Sequence, residues 1–402
     1  GSEMCIRDSI GSLTGAVSAL SAGFSKMAQA KAPLGGTTVN VEPRGKMGRL
    51  ERLPTLNAES RHDFLTGVRH WRGNTLSRAA RKRFNEIMKE AGEDPRKSLP
   101  IDRIFELIEG DPLISLDART RIDSQRLSQD NLQAALEGHG QDAYLAELEA
   151  YDNRGPGTLE LNPDMTTPDY ARHEIHMQPG GYVGNAFAGV IYHYDTNAFY
   201  NARGYINFQD ERHTMLANQV SAPADGKVRR ILDLGCGIGQ LTVGLKERYP
   251  QAEVWGVDIG APMLRYGHMR AVDEGVDVNF AQRLAEQTLF PDNHFDVLAS
   301  YILHHELPAE ISRQVITEAF RVLRPGGVYV PMDFFTGYPR RPKNAYTTYS
   351  SWKDHRWNEE VWRIEYEEMD FFGHMEKVGF QVNRKGPRAG FARNNVLATK
   401  PA

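Results

Sequence analysis

The chain has 402 residues, 40% of them hydrophobic, a formal net charge of −4 and two cysteines, Cys5 and Cys236. This length exceeds the usual single domain and predicts two structural units. The charge argues against a broadly basic nucleic-acid-binding surface, the cysteine count against a disulfide scaffold, and the lack of a long apolar run against a membrane-spanning helix; the expected setting is reducing and cytoplasmic.

In chain order, residues 1–32 read as a leader outside the functional argument. Gly1-Ser2 looks like a cloning scar, and Met4 to Ser9 (MCIRDS) looks like translated adapter sequence. Ile10 to Phe24 is mildly apolar and Ala28-Gln29-Ala30 mimics a cleavage site, but the Ser and Gly content and Lys26 argue against a signal peptide.

Residues 33–157 predict a mainly helical N-terminal domain. Lys31 to Pro54, rich in Gly, Pro and Thr, reads as loop, and helical patterns follow from Ala58 to Tyr151. Leu76 to Glu90 places Phe84, Ile87 and Met88 on one side, with Arg78, Arg81, Lys82 and Arg83 read as a solvated face. Pro100 and Asp102 open a short helix with Ile101, Ile104, Phe105 and Ile108 as its apolar stripe, and Asp111-Pro112 starts another. The breaker Gly155-Pro156-Gly157 ends this part, which reads as a substrate cap or a dimerisation module; the sequence leaves both open.

Residues 158–224 read as a lid or connecting segment, dense in aromatics, histidines and glycines. Val190 to Tyr194 predicts a short strand. Loops on a rigid scaffold often carry binding residues, so Tyr192, Tyr194 and Tyr200 are candidate substrate contacts and His193 a candidate base. Arg203 is the candidate partner for a ligand carboxylate, because a guanidinium binds one bidentately. A metal set of His173, Glu174, His176 and His193 does not follow a ligand spacing, and no metal is expected.

Residues 225–402 follow a strand–helix rhythm. The apolar strand Ile231 to Leu234 runs into Gly235, Gly237 and Gly239, and a helix begins at Gln240. A glycine turn of this kind lets a ligand approach the backbone without a Cβ in the way. The next strand, Glu253 to Asp258, ends in an acid about 20 residues after the turn, placed to accept ribose hydroxyls. The spacing is GxGxG rather than the dinucleotide GxGxxG, and no GK[ST] is present, which excludes a P-loop. Further strands are predicted at Val276 to Phe280, Phe295 to Tyr301 and Val328 to Asp333, with Arg324 to Gly327 as a turn. Glu365 to Val378 predicts one helix, followed by two terminal strands, Phe380 to Arg384 and Asn395 to Thr399. Residues 335–364 break the rhythm and read as an insertion, a lid or a structural contact.

DLGCGIG after an apolar strand, VD at the end of the next, FPDNHFDVLASYILHHELP and VLRPGGVYVPMDF together resemble the class I S-adenosylmethionine-dependent methyltransferases of the small-molecule branch. The resemblance covers residues 225–402, somewhat under half the chain. It implies an α/β doubly wound, Rossmann-like seven-stranded sheet whose last two strands form an antiparallel edge hairpin. It implies S-adenosylmethionine as cofactor, with Asp233, Gly235, Cys236, Gly237 and Gly239 around its methionine part, Asp258 on the ribose and Ile259 beside the adenine. The acid that often binds the adenine amino group in this family is replaced by Leu284, which shifts adenine recognition to the backbone near Ala285 or to another side chain. Tyr301 is expected to touch cofactor or substrate.

His304, His305 and Glu306 follow the fourth strand, where open α/β sheets bind ligands; either histidine is a candidate general base, and Glu306 a candidate substrate contact. The expected reaction is in-line methyl transfer to an oxygen, sulfur or nitrogen nucleophile of a small molecule. The alternatives are a non-catalytic S-adenosylmethionine-binding partner protein and a nucleic-acid methyltransferase. The latter is disfavoured because SYIL stands where [DN]PP[YF] is required and no basic footprint exists. The expected partners are a small-molecule substrate and, for the helical part, a homodimer mate, with no nucleic acid and no membrane.

Overall fold

The structure, a computed structural model, describes residues 46–47, 50–51, 53–138, 140–200, 208–334, 343–384 and 396–402. A two-stranded hairpin, β1 (Lys46–Met47) and β2 (Leu50–Glu51), precedes the helical part. Helix α1 (Leu56–Trp71) starts where Thr55 accepts a hydrogen bond from the Ala58 amide, and a π-helical turn leads directly into α2 (Ser77–Glu90). Helix α3 (Ile101–Ile108) buries Ile104 and Ile108. Asp111 caps α4 (Pro112–Glu137), with Pro112 in the first turn where its missing amide costs nothing. Helix α5 (Gln141–Tyr151) completes this layer.

Next come β3 (Thr158–Glu160), α6 (Ala188–Tyr194) and α7 (Phe208–Ala217). The predicted strand at Val190 to Tyr194 is therefore a helix. A short apolar run fits either element; here Val190, Ile191 and Tyr194 are buried, and the helix lies so close to Tyr266 that a Cβ on Gly189 would meet it at 2.4 Å.

The core then alternates β4 (Arg230–Leu234), α8 (Gln240–Arg248), β5 (Glu253–Asp258), α9 (Ala261–Asp273), β6 (Asn279–Gln282), β7 (Phe295–Tyr301), α10 (Ala309–Val322) and β8 (Leu323–Met332). Helices α11 (Ala345–Trp357), α12 (Arg363–Glu368) and α13 (Phe371–Val378) and the strands β9 (Gln381–Asn383) and β10 (Leu397–Thr399) close the chain. The helix expected over Glu365 to Val378 is split, because Asp370 begins a new one by accepting from the Gly373 amide. The stretch Arg324 to Gly327, expected as a turn, lies within β8 at a register shift between Phe295 and Val297 of the neighbouring strand.

The sheet order is β3-β6-β5-β4-β7-β8-β10-β9, parallel except for β10, which runs antiparallel to both neighbours. This is the expected doubly wound sheet with its antiparallel edge hairpin, extended to eight strands by β3. The addition depends on backbone proximity rather than on a hydrophobic pattern. A Cβ on Gly157 would sit 2.0 Å from the Val278 carbonyl oxygen, and Thr158 Oγ1 lies 2.8 Å from Asn279 Oδ1.

Both faces of the sheet are covered, as a parallel sheet requires. Leu232, Leu298 and Tyr329 pack with Val315, Ile316 and Met375 on one side, and Ile231, Val254 and Val297 with Leu216, Leu241 and Leu264 on the other. The N-terminal helices dock on this core through Leu132 and Leu148 against Ile191, Ile238, Met263 and Tyr266. The insertion joins them: Ala345 and Tyr349 of α11 share a cluster with Phe84, Met88, Ile104 and Ile114. An Arg121–Asp354 ion pair at 2.9 Å ties α4 to α11.

Candidate active site

The glycine turn begins where β4 ends. Gly235, Gly237 and Gly239 have φ of 64°, 54° and 73°, a region that favours glycine. Gly239 has the further constraint that a Cβ there would lie 2.4 Å from the Phe280 ring. The Cys236 amide donates to the Val257 carbonyl at 2.9 Å, and the Cys236 thiol is buried, its pKa pushed well up by that burial. Asp258 closes the turn: Oδ2 accepts from the Gly237 amide and Oδ1 from the Gly260 amide, each at 2.8 Å. Burial raises the Asp258 pKa, and these amide hydrogen bonds oppose the rise. Below the turn, buried Asp233 accepts from Thr242 Oγ1 at 2.7 Å, and burial pushes its pKa up to about 7. The Ile259 carbonyl accepts from Gln282 Nε2 at 3.0 Å, and Ala285 packs partly buried against the core.

At the ends of β7 and β8, the two adjacent histidines have separate surroundings. His304 is fully buried, with Nδ1 2.8 Å from Ser312 Oγ and Nε2 2.7 Å from Tyr329 OH. Burial holds its pKa down to about 4. Both of its nitrogens are engaged inside the core. His305 is also buried, but its Nδ1 donates to Asp333 Oδ1 at 2.7 Å, and its Nε2 lies 3.4 Å from Glu306 Oε1. Burial works against the imidazolium, yet Asp333 and Glu306 outweigh it and push the pKa up to about 10. Asp333 is held low by the same histidine.

A second polar group faces this one from the connecting segment and the insertion. His176 lies 3.1 Å from Tyr182 OH through Nδ1 and 3.3 Å from Glu360 Oε1 through Nε2. Glu360 in turn accepts from Arg363 at 2.6 Å. His176 and Met177 are held at φ of 56° and 61°, a costly conformation for such residues. Gln125 of α4 anchors the turn by donating to the His176 carbonyl and to Asn358 Oδ1, both at 2.8 Å.

Of the tyrosines, Tyr192 packs edge-on to Tyr182 at 5.5 Å. Burial raises its pKa, and Tyr301, Glu306, Asp258 and Asp210 add to the rise. Tyr301 is partly buried and edge-on to His213 at 4.7 Å. Tyr194 turns the other way, buried edge-on to His62 at 4.8 Å in the N-terminal helical layer. His193 is buried between Tyr266 OH at 2.9 Å and Asp210 Oδ2 at 3.0 Å. Tyr200 ends a π-helical turn; its side chain, and all of Arg203, lie outside the described residues.

The C-terminal ends of the parallel strands β5, β7 and β8 thus bring Asp258, Tyr301, His305 and Glu306 to one edge of the sheet, while His304 is turned into the core, Tyr194 into the N-terminal helices and His193 toward Tyr266 and Asp210. Sequence reasoning passed over Asp333, Glu360 and Arg363. Asp333 had a usable signal, an acid closing a buried strand beside the HHE turn. Glu360 and Arg363 sit in the arrhythmic insertion and had none.

Residues 231–327 match the family of methyltransferase domains. This stretch of the core is similar to a methyltransferase domain. Its curated relatives include a demethylmenaquinone methyltransferase of Thermus thermophilus, 39% identical over 119 residues, which are 29% of this chain and 51% of that protein. They also include a ubiquinone/menaquinone biosynthesis C-methyltransferase UbiE of Laribacter hongkongensis, 36% identical over 107 residues, 26% of this chain and 43% of that protein. The chain spans about half the length of these relatives. Among solved structures, a methyltransferase described as putative from Bacillus halodurans is 18% identical, covering 47% of this chain and 97% of that one with a TM-score of 0.37.

The methyltransferase domain takes S-adenosylmethionine, and the residues present fit it. Asp258 uses each carboxylate oxygen once for the turn and keeps acceptor capacity for ribose hydroxyls. A Cβ on Gly237 would meet only Met263 Cε, at 3.7 Å, so the turn is open beside that carboxylate. Among the described residues no group of three His, Cys, Asp or Glu is arranged to hold a metal, and no helix is long and apolar enough to cross a membrane.

Proposed function

We propose that this chain transfers a methyl group from S-adenosylmethionine to a small-molecule acceptor. The observation that carries the reading is the convergence of the Asp258-closed glycine turn with the His305–Asp333 pair and Glu306 at the C-terminal ends of parallel strands, where α/β sheets bind ligands; a Cβ on Gly235 of the turn would already meet Leu303 beside them at 2.5 Å. When bound, the cofactor supplies a methyl already activated by a positively charged sulfur. The work of the chain is then to orient the acceptor and exclude water. Asp258 holds the ribose, and the turn of Gly235, Gly237 and Gly239 admits the methionine part. His304 and His193, both tied inside the core, serve as scaffold.

One relative is named for methylating demethylmenaquinone and another as a C-methyltransferase of ubiquinone/menaquinone biosynthesis, and these names support an acceptor built on a ring. The ring-rich surroundings of Tyr182, Tyr192 and Phe334 suit one. The test is incubation with methyl-labelled S-adenosylmethionine and a panel of ring phenols, thiols and amines; label in at least one product is expected, and no transfer to any of them, from protein that binds the cofactor, would contradict the reading.

A further inference from the structure

The pair His305–Glu306 is chemically incomplete. His305 is fully buried and donates through Nδ1 to Asp333, which also accepts from the backbone amides of His305 and Phe334 at 3.2 and 2.6 Å. The other ring nitrogen, Nε2, has no hydrogen-bond partner among the described residues, and neither has Glu306 Oε2. Nε2 and Glu306 Oε1 form an ion pair at 3.4 Å, longer than an ordinary hydrogen bond, so the two charges are matched while the hydrogen-bonding capacity of Nε2 and Oε2 stays unused. Leaving a buried donor and a buried carboxylate oxygen unmet in one place is costly, and native proteins rarely do so without a functional reason.

Neither atom is hydrogen-bonded, although His173 feels the Glu306 charge and has its own Nε2 buried without a hydrogen-bond partner. Asp333 fixes the ring through Nδ1, and the Phe334 ring lies edge-on to His305 at 4.9 Å. The nearby Glu360 is committed to His176 and Arg363, and Tyr182 to His176. With the ring held as the imidazolium between the Asp333 and Glu306 carboxylates, Nε2–H is a donor, and the Glu306 carboxylate on the neighbouring residue is an acceptor. A hydroxyl group satisfies both at once, because its oxygen accepts while its hydrogen donates. An ether or a bare carbonyl satisfies only the donor.

We infer that His305 Nε2 and Glu306 Oε2 form the seat of an acceptor's acidic hydroxyl, of the phenol or enol class, with Glu306 as the group that receives its proton. The seat deepens the methyltransferase reading and rests on it. The hydroxyl oxygen accepts from the His305 Nε2–H and donates to Glu306 Oε2. As the oxygen becomes electron-rich, its proton passes to Glu306, the carboxylate becomes a neutral carboxyl, and the O–H electron pair stays on the acceptor oxygen, still held by His305. Tyr192 packs edge-on to Tyr182, whose carbonyl oxygen lies against Gly260 beside the Asp258 carboxylate. Asp333 acts only through His305 and is a positioning residue.

The test is a binding measurement on the full chain saturated with S-adenosylhomocysteine, using 4-nitrophenol and its methyl ether 4-nitroanisole as probes. The phenol is expected to bind at least tenfold more tightly than the ether, the ratio that a hydrogen bond to a charged acceptor supports. Glu306→Ala is expected to abolish that preference while leaving S-adenosylhomocysteine affinity intact, which also certifies the fold; Glu306→Gln, of the same shape, stands in if the alanine variant does not fold, and is expected to cut the preference several-fold. Failure of S-adenosylhomocysteine to bind would overturn the methyltransferase reading itself. Binding of S-adenosylhomocysteine with no preference for the phenol, whether both probes bind or neither does, would overturn the seat alone, as would a preference that survives the substitutions.

Discussion

The Gly237 amide donates to Asp258 Oδ2 at 2.8 Å, so the carboxylate that ends one strand holds the glycine turn that follows its neighbour. The same carboxylate, through its remaining acceptor capacity, is assigned to the cofactor ribose. Under the proposed function, turn geometry and cofactor affinity would both depend on this side chain. Asp258→Ala is expected to weaken S-adenosylhomocysteine binding by tenfold or more, since hydrogen bonds to a charged acceptor contribute about 1.5–3 kcal/mol each. Calorimetric titration of the folded variant decides it, and unchanged affinity would remove Asp258 from the cofactor site.

Gly239 tests the turn from the packing side. At φ of 73° any side chain is strained by roughly 1–2 kcal/mol, and here the added Cβ also meets the Phe280 ring at 2.4 Å. Gly239→Ala is expected to lower stability by more than about 2 kcal/mol, read as a drop in the urea midpoint. A variant as stable as the parent would mean that the turn tolerates a different backbone path.

His304 gives a pH signature. Its pKa is held down to about 4 by burial, against an ordinary value of 6.5. Between those values the unfolded chain takes up a proton that the native state refuses, so the stability contributed by His304 is full above pH 6.5 and is lost as pH falls toward about 4. His304→Gln is expected to cost about 1–3 kcal/mol near neutrality, through the bonds to Ser312 and Tyr329. Relative to that variant, the parent is expected to lose up to about 1.4 kcal/mol per pH unit across the window. Denaturant unfolding at several pH values checks this; parallel profiles for the two proteins would show that His304 is not buried neutral.

The turn at Gly235 to Gly239 and the strands at Ile231 to Leu234, Glu253 to Asp258 and Phe295 to Tyr301 were legible in the sequence because buried parallel strands are short apolar runs with fixed chemistry at their ends. Strand β3 was not, since Thr158 to Glu160 joins the sheet through the close approach of Gly157 to Val278, a contact with no periodic signature. Within HHE the residue types were informative but their roles were not: Tyr329 and Ser312 hold His304 in the core while Asp333 holds its neighbour, and the two partners that separate the histidines, Tyr329 and Asp333, lie on another strand and just after it. The His176–Glu360–Arg363 group could not be read at all, because it joins a loop to an insertion nearly two hundred residues later.

Everything proposed for this chain rests on the Asp258-closed turn binding the methyl-transfer cofactor. The most direct test is calorimetric titration of the full chain with S-adenosylhomocysteine. Saturable one-to-one binding with a Kd in the micromolar range is predicted. Absence of binding by protein shown to be folded would contradict the account, leaving the glycine turn as a structural feature and withdrawing the enzymatic reading before any acceptor is tried.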